Sequence, residues 1–406
     1  MDYARRSAEV AARASYGRLL SLLAARTRDI SAAEDALADA FAAALTQWPQ
    51  GGVPDNPDAW LLTVARRSFG HAVGRRQTSD KAQDMVNLLQ DERDAAETSE
   101  FGDERLALLF VCAHPAIDAD AQTPLMLQTV LGLDAARIAA AFLVSAANMG
   151  QRLVRAKRKI RDAGIAFTLP DPADAPARVD GVLSAIYAAY GTAWEDVTGA
   201  DSKLVGLAEE AIWLARLLTQ LLPDNAEAKG LLSLMLHCES RRAARRDAGG
   251  GFVPLHRQDM ELWSGPMISE AEGLLRAAAA LSAPGRFQTE AAIQSLHAHQ
   301  RMTGERFTAP LASLYDVLAG FAPTTGVLVA RAVAHAENGD AAAALAQLDS
   351  LSGVASYQPH WAARARICWL AGDQEGAWAA ARTAAGLSSD ASVRAFLLDG
   401  GFRFPE

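Results

Sequence analysis

Apolar residues recur at spacings of three and four along most of the chain, and runs of β-branched residues are scarce. This period places apolar side chains on one face of a helix, and the dominant residues, alanine and leucine, are strong helix formers. The pattern therefore predicts an all-α fold. The predicted helices cover residues 4–26, 31–48, 57–76, 103–113, 120–131, 134–141, 146–163, 175–191, 203–221, 225–246, 267–282, 286–300, 308–318, 325–338, 341–350, 358–370 and 374–386.

Cap and turn residues divide these helices into groups. Ser31 with Glu34 three residues later is the pattern of a capping box, and Ser145 is placed to cap a later helix. A polar, acidic stretch and a proline pair mark two boundaries. We predict a small helical domain over 1–77, a flexible acidic linker over 78–104, a second small helical domain over 105–168, and a helical C-terminal domain over 175–406.

The C-terminal part contains an internal repeat. The run Ala330-Arg331-Ala332 with Gly339-Asp340 and Ala344 recurs 33 residues later as Ala363-Arg364-Ala365 with Gly372-Asp373 and Ala377. Each copy predicts two helices joined by a Gly-Asp turn, and stacked helix pairs of this length are typical of tetratricopeptide-like repeats. A generic array of helical hairpins is the alternative interpretation.

Composition excludes several classes of protein. The chain has 406 residues, half of them apolar, which indicates folded domains rather than disorder. No apolar run approaches the ~20 residues of a membrane-spanning helix, and the N-terminus does not resemble a signal peptide. Cys112, Cys238 and Cys368 lie far apart, without the spacing of a disulfide framework or zinc site. We therefore expect a cytoplasmic protein whose cysteines are buried as small apolar residues.

Basic residues cluster in two places, although the whole chain has a net charge of −9. The first cluster, in residues 60–76, has no acidic residue; the second, in residues 145–162, has a single acidic one. A strongly acidic segment, 80–104, separates them. Two basic blocks suggest contact with nucleic acid at two places. The basic residues of the first block are Arg66, Arg67, Arg75 and Arg76.

The second basic block follows a helix-turn-helix pattern. A short helix after Asp134 and a tight connection lead to the helix that Ser145 caps, which would enter the major groove. Asn148, Gln151 and Arg152 are predicted to reach base edges, because amides and guanidinium groups pair with bases at two points. Residues farther along the helix are predicted to contact phosphates: Arg155, Lys157, Arg158, Lys159 and Arg161. The alternative is the solvated basic end of an ordinary helix.

The sequence shows no signature of catalysis. It lacks a glycine-rich phosphate loop, a zinc-protease motif and a nucleophile elbow. The run His237-Cys238-Glu239 is consecutive on a predicted helix, so its side chains diverge and cannot bind one metal ion. We therefore expect a protein that is not an enzyme and that has neither a metal site nor a cofactor.

The order of these parts resembles the extracytoplasmic-function sigma factors of bacterial RNA polymerase, in the subfamily with a long tetratricopeptide-like C-terminal extension. Several stretches carry the resemblance in the family's order: Glu34 to Phe41, Gly52 to Arg66, Leu108 to Ala116, Val130 to Leu133, Gln151 to Arg161, Gln258 to Trp263, Ala291 to Ala298, and Leu314 to Asp316. The stretch Phe69 to Gly74 departs from the family, because it lacks the acidic-then-basic pair usual there.

The resemblance implies a factor that binds core polymerase, through its β and β′ subunits, and directs promoter-specific transcription initiation. It implies polymerase docking by Glu34, Asp35, Asp39, Phe41 and Trp48. The first basic block, near Trp60 and Phe69, would contact the minus-ten element, and the helix-turn-helix would contact the minus-thirty-five element. Its expected partners are core polymerase, promoter DNA and a protein or peptide regulator on the repeats, with no membrane. The alternative is a degenerate sigma-like module that acts mainly through its helical-repeat domain.

Overall fold

The computed structural model describes residues 2–74, 104–130, 132–142, 144–169, 175–195 and 202–404. The helices up to the middle of the chain are α1 (Asp2–Thr27), α2 (Ile30–Gly51), α3 (Pro57–Gly74), α4 (Glu104–Cys112), α5 (Ala119–Thr129), α6 (Ala135–Ala141), α7 (Ala146–Asp162), α8 (Ala175–Glu195) and α9 (Ser202–Leu221). They are followed by α10 (Ala226–Glu239), α11 (Gly265–Ala280), α12 (Arg286–Thr303), α13 (Thr308–Phe321), α14 (Thr325–Glu337), α15 (Ala341–Asp349), α16 (Gln358–Leu370), α17 (Gln374–Leu387) and α18 (Ala391–Leu398).

The all-α prediction is confirmed. Over the described ranges the chain forms no strand, and its β-structure is one isolated bridge between Arg246 and Phe252. Most predicted helix ends lie within a few residues of the observed ones, because apolar spacing and caps are local signals. The helix predicted over 225–246 instead ends at Glu239, and a short 3₁₀ helix covers Arg242–Arg245. Helix α18, which Asp390 caps, was not predicted.

The capping prediction for α2 is wrong by two residues. The helix begins at Ile30, and the Asp29 side chain accepts a hydrogen bond from the backbone N–H of Ala32 at 3.2 Å. Asp29 has extended backbone dihedrals, as an N-cap requires. Ser31 therefore lies inside the first turn, and Glu34 is free to contact another helix.

The described contacts divide the chain into two units, Met1–Leu217 and Leu218–Glu406. In the first unit, α1 packs against α2, α3 and α4, and α5 packs against α7 and α8. Gly17 on α1 marks a close approach, since a Cβ there would lie 1.8 Å from the carbonyl oxygen of Val130. Residues 1–77 and 105–168, predicted as separate domains, thus contact each other within one unit. Most of the predicted linker, 78–103, lies outside the described residues.

The cysteines are free thiols. Cys112 is buried in the first unit, where its Sγ lies 3.5 Å from the Thr129 hydroxyl, and burial raises its pKa to about 12. Cys238 and Cys368 belong to the second unit, and burial raises the pKa of both thiols. These surroundings agree with the expectation that the cysteines are buried as small apolar residues.

The second unit contains the predicted repeat as two helical hairpins, α14 with α15 and α16 with α17. Gly339 and Gly372 have φ angles of 99° and 82°, which glycine adopts readily. In both hairpins the following aspartate caps the second helix: Asp340 accepts from an N–H at 3.3 Å and Asp373 at 2.9 Å. The 33-residue offset thus corresponds to one helix-turn-helix pair, and its likeness to tetratricopeptide repeats stays a prediction.

None of the helices within the described residues is both long enough and apolar enough to cross a membrane.

Candidate nucleic-acid interface

Helix α7 is built as the sequence predicts. Ser145 caps it by accepting a hydrogen bond from the backbone N–H of Asn148 at 3.2 Å. The N–H of Val144 donates to the carbonyl oxygen of Ala139 at 3.0 Å, which ties the connection back to α6. One face of α7 is buried through its apolar residues: Met149, Leu153, Ala156 and Ile160. The helix is therefore fixed on its scaffold with its opposite face toward solvent.

The solvent face of α7 presents most of the predicted DNA contacts. Asn148 and Gln151, near the N-terminus, are exposed, as are Arg155 and Arg158 farther along. Neither of these two arginines has an ion-pair partner among the described residues. Residues at spacings of three and four share a helix face. The geometry therefore brings two amide-bearing residues and two unpaired guanidinium groups to one exposed surface, which we call the α7 face.

Two further cations of α7 are paired with acidic residues near the start of α5. Arg152 contacts Asp120 at 3.2 Å and also donates to its backbone carbonyl at 3.0 Å. Lys159 Nζ lies 3.3 Å from a carboxylate oxygen of Asp118. Exposed ion pairs of this kind contribute about 0–1 kcal/mol, so phosphate groups can compete with these carboxylates. Both residues remain candidates for DNA contact, although no sequence pattern indicates their acidic neighbours.

Lys157 requires a correction. Its side chain is only 8% exposed, and Nζ donates to both carboxylate oxygens of Glu34 at 2.6 Å. Lys157 follows Ala156 on the buried side of α7 and reaches α2, so in this arrangement it is not free to contact phosphate. The same pair withdraws Glu34 from the predicted polymerase-docking surface. Helices α2 and α7 are therefore joined by a largely buried ion pair.

The surroundings of this pair are acidic. Burial raises the pKa of the Glu34 carboxyl, Lys157 opposes that rise, and the neighbouring Asp35 and Asp29 add to it. Burial next to Glu34 also raises the pKa of the Tyr16 hydroxyl. A second ion pair, between Arg161 and Asp29 at 3.6 Å, links the same two helices. We call the Glu34–Lys157 and Arg161–Asp29 contacts together the α2–α7 pairs.

The exposed side of α2 retains part of the predicted docking surface. Asp35 and Asp39 are exposed one turn apart, and Asp39 accepts a hydrogen bond from the Ser68 hydroxyl at 2.5 Å. Phe41 is half-buried. Trp48 requires a correction, because it is 2% exposed and packs edge-on against Trp60 at 5.5 Å between ring centroids. It stabilises the core between α2 and α3 and is not available to a partner.

Helix α3 carries the first basic block. Arg67 is exposed and Arg66 is half-buried, while Arg75 and Arg76 lie outside the described residues. Trp60 is half-buried against Trp48, as a core role requires. Within the described residues no group of three or more histidine, cysteine, aspartate or glutamate side chains is close enough to hold a metal ion.

Sequence reasoning missed the acidic partners of α7. Asp118 precedes α5, Asp120 lies in its first turn and Asp29 precedes α2, all positions typical of helix starts. Their position at a helix start could have predicted capping, but their contacts with α7 depend on tertiary packing.

Comparison with known proteins finds a family match in the N-terminal part of the first unit. The family described as sigma-70 region 2 matches residues 12–78, which include most of α1 and all of α2 and α3. The chain thus carries a sigma-70 region 2 domain at its N-terminus. A family of unknown function, DUF6596, matches residues 178–279.

The chain belongs to the same family as the uncharacterized protein R00370 of Rhizobium meliloti (strain 1021). The two are 38% identical over 330 residues, which cover 80% of this chain and 78% of the relative. No solved structure matches the chain.

Proposed function

We propose that this protein is an alternative sigma factor of the extracytoplasmic-function type, which binds core RNA polymerase and directs promoter-specific initiation. The observation that carries the proposal is the sigma-70 region 2 match over α1–α3. Proteins of this class act by binding polymerase and promoter DNA and are not enzymes. The exposed α7 face, which lies outside the matched residues, adds independent support.

Polymerase binding is assigned to the exposed side of α2. Asp35 and Asp39 provide two negative charges on one solvent-facing stripe, and Phe41 lies on a different side of the helix, half-buried. Charge complementarity of this kind favours the rate and specificity of association.

Promoter contact is assigned to two surfaces. The α7 face would read the minus-thirty-five element, with Asn148, Gln151 and Arg152 near base edges and the later cations on phosphates. Arg66 and Arg67, with Arg75 and Arg76, would hold the melted minus-ten strand through its backbone.

The decisive experiment is reconstitution of the full chain with bacterial core polymerase. Transcripts from sheared genomic DNA of the source organism are mapped by their 5′ ends. The proposal predicts initiation sites with common upstream elements that appear only when the protein is added. Absence of a complex with core polymerase would refute it.

Charge reversal tests the docking surface. Asp35→Lys with Asp39→Lys should weaken the complex with core polymerase at least tenfold, because two attractive contacts become repulsive. The matched control is Asp180→Lys with Glu209→Lys, which reverses two exposed charges elsewhere in the first unit. Equal loss in both variants would show a general charge effect and contradict the assignment.

Removal of cations tests the α7 face. Arg155→Ala with Arg158→Ala should weaken binding to an upstream duplex and reduce the slope of log K against log salt by about two, one for each lost phosphate contact. Arg276→Ala with Arg382→Ala removes two exposed cations of the second unit and serves as the control. An unchanged salt slope in the α7 variant would exclude phosphate contact by these arginines.

The α2–α7 pairs favour one alternative, a sigma-like regulatory module. They join the helix assigned to polymerase to the helix assigned to DNA, and they engage Glu34 and Lys157 with each other. A protein that binds core polymerase but directs no specific transcript would support this alternative.

A further inference from the structure

The second unit contains a cavity of about 790 Å³, lined by α12, α13, α14, α16, α18 and the segments before and after them. This volume lies in the range of small-molecule binding sites. Much of its wall is apolar, with contributions from Leu311, Val329, Ala330, Val333, Phe396 and Leu397. Neither the sigma-70 region 2 match nor the proposed promoter contacts use this cavity.

Three buried nitrogen atoms of the cavity lining have no hydrogen-bond partner among the described residues. They are Nη2 of Arg366, Nε of Arg301 and Nε2 of His256. A buried polar group without a partner costs about 1–3 kcal/mol, and isolated cases are rare in folded proteins. All three have almost no accessible surface, so they lie within the wall of the cavity and do not face its space.

Arg366 is held in place by the groups around it. Its side chain is 4% exposed, Nε donates to Glu337 at 2.6 Å, and Nη1 donates to the carbonyl oxygens of Phe404 at 2.8 Å and Phe402 at 3.2 Å. These contacts fix the guanidinium plane and leave Nη2 unused. The Arg366 guanidinium is therefore a fixed positive charge within the wall of the cavity.

The second arginine, Arg301, carries a charge that no nearby carboxylate balances. Its Nη2 donates to the backbone carbonyl of Gln258 at 2.9 Å, and among the described residues no carboxylate lies within ion-pair distance. Glu337, by contrast, already contacts both Arg366 at 2.6 Å and Arg306 at 3.5 Å. The cavity lining thus has more positive than negative side chains.

The histidines of the lining do not change this balance at neutral pH. Burial lowers the pKa of His256, and the nearby Arg257, Arg301 and Arg366 lower it further. Burial lowers the pKa of His297 to about 4, again with help from an arginine. Both rings are therefore neutral at pH 7.

An aromatic side chain completes the polar end of the cavity. The Phe404 ring lies 4.5 Å from the His256 ring, and the Arg366 guanidinium lies 3.7 Å from the centre of the Phe404 ring. Cation–π contact of this kind stabilises a guanidinium group without using its N–H donors.

We propose that this cavity is a binding site for an organic acid with an apolar body. The carboxylate pairs with the guanidinium of Arg301, and the hydrocarbon part contacts the apolar wall. Carboxylates form short, charge-assisted hydrogen bonds with guanidinium groups, and this carboxylate would balance the charge of Arg301. A positively charged ligand is excluded by the same electrostatics.

Calorimetric titration of the full chain tests the proposal with three probes of equal chain length: decanoate, decan-1-ol and decylamine. Decanoate should bind with a stoichiometry of one, decan-1-ol at least tenfold more weakly, and decylamine more weakly still. Equal affinity for decanoate and decan-1-ol, or no binding of any probe, would overturn the proposal. The assay does not involve polymerase or DNA, so its outcome is independent of the sigma-factor assignment.

Two variants locate the probe. Arg301→Gln should weaken decanoate binding at least tenfold and leave decan-1-ol binding unchanged. Ala330→Phe, which reduces the cavity without changing its charge, should weaken both probes. Arg382→Gln, an exposed arginine outside the lining, is the control for loss of a positive charge. Thermal unfolding midpoints check that each variant folds, and unchanged decanoate affinity in folded Arg301→Gln and Ala330→Phe would place the probe elsewhere.

Discussion

Replacing Lys157 with methionine tests the buried contact between α2 and α7. Lys157→Met keeps the length of the side chain and removes its charge, so Glu34 loses both of its 2.6 Å hydrogen bonds to Nζ. Removing one partner of a fully buried ion pair costs about 3–5 kcal/mol. Because Glu34 is 21% exposed, water can solvate part of its charge, and we expect a loss of about 2–3 kcal/mol at pH 7.

The pH dependence of this loss follows from the pKa of Glu34. Burial already raises that pKa above its ordinary value, and removal of Lys157 raises it further. In the variant the folded state therefore binds the Glu34 proton more tightly than the unfolded state, so stability falls as pH rises above about 4.5. The difference between the native protein and Lys157→Met should be small near pH 4.5 and should grow as pH rises to 7.

Urea unfolding followed by circular dichroism measures the loss, and hydrogen exchange of α2 and α7 peptides assigns it to the first unit. This assignment is needed because the two units can unfold separately. Glu34→Gln combined with Lys157→Met should recover most of the stability, since no unpaired charge remains. A single variant that loses less than about 1 kcal/mol, or loses equal amounts at pH 5 and pH 7, would contradict the buried-pair interpretation.

Three further predictions concern single positions. Ser145→Ala should destabilise the first unit by about 1 kcal/mol through loss of the α7 cap, whereas Ser145→Asp should not. Gly17→Ala should destabilise the first unit by about 1–3 kcal/mol, because the new Cβ would overlap the backbone oxygen of Val130. Gly150→Ala should instead stabilise it by up to ~1 kcal/mol, because a Cβ there meets no atom within 4 Å. Arg246 contacts Asp390 at 2.5 Å and lowers the pKa of that carboxyl, so Arg246→Gln should destabilise the second unit at pH 7, and the difference should shrink as pH falls below 3.8. Denaturant unfolding measures the free energy of unfolding of each variant. For Arg246→Gln it is repeated over a pH series, and an equal difference from the native protein at every pH would contradict the ion-pair explanation.

Helices and caps were predictable because their determinants lie within a few residues of one another. The apolar stripe of α7, its Ser145 cap and the paired glycine turns of the hairpins are local patterns. The predicted N-cap of α2 was wrong because two nearby residues, Asp29 and Ser31, both suit an N-cap. Only the tertiary contact of Glu34 distinguishes a helix that begins after Asp29 from one that begins after Ser31.

The partners of charged residues were not predictable. Lys157 and Glu34 are 123 positions apart, and a lysine beside alanine in a basic helix is typical of a solvated surface. Trp48 was misassigned for a related reason, since an aromatic residue on an acidic helix suits either a core or a docking surface. Only packing against Trp60 distinguishes these roles.

The cavity of the second unit was not predictable from the sequence either, because it also depends on tertiary packing. Its polar end combines His256, Arg301, Arg366 and Phe404, which come from separate segments. None belongs to a recognisable motif, and each alone suits an ordinary helix or loop. Their convergence is a property of the fold.

The burial of the thiols has a practical use. Alkylation requires the thiolate, and burial raises the pKa of Cys112 in the first unit and of Cys238 and Cys368 in the second. In the native protein a maleimide would therefore react slowly and mainly after local opening. Mass spectrometry of the modified peptides would then time the opening of each half of the molecule separately, without any engineered label.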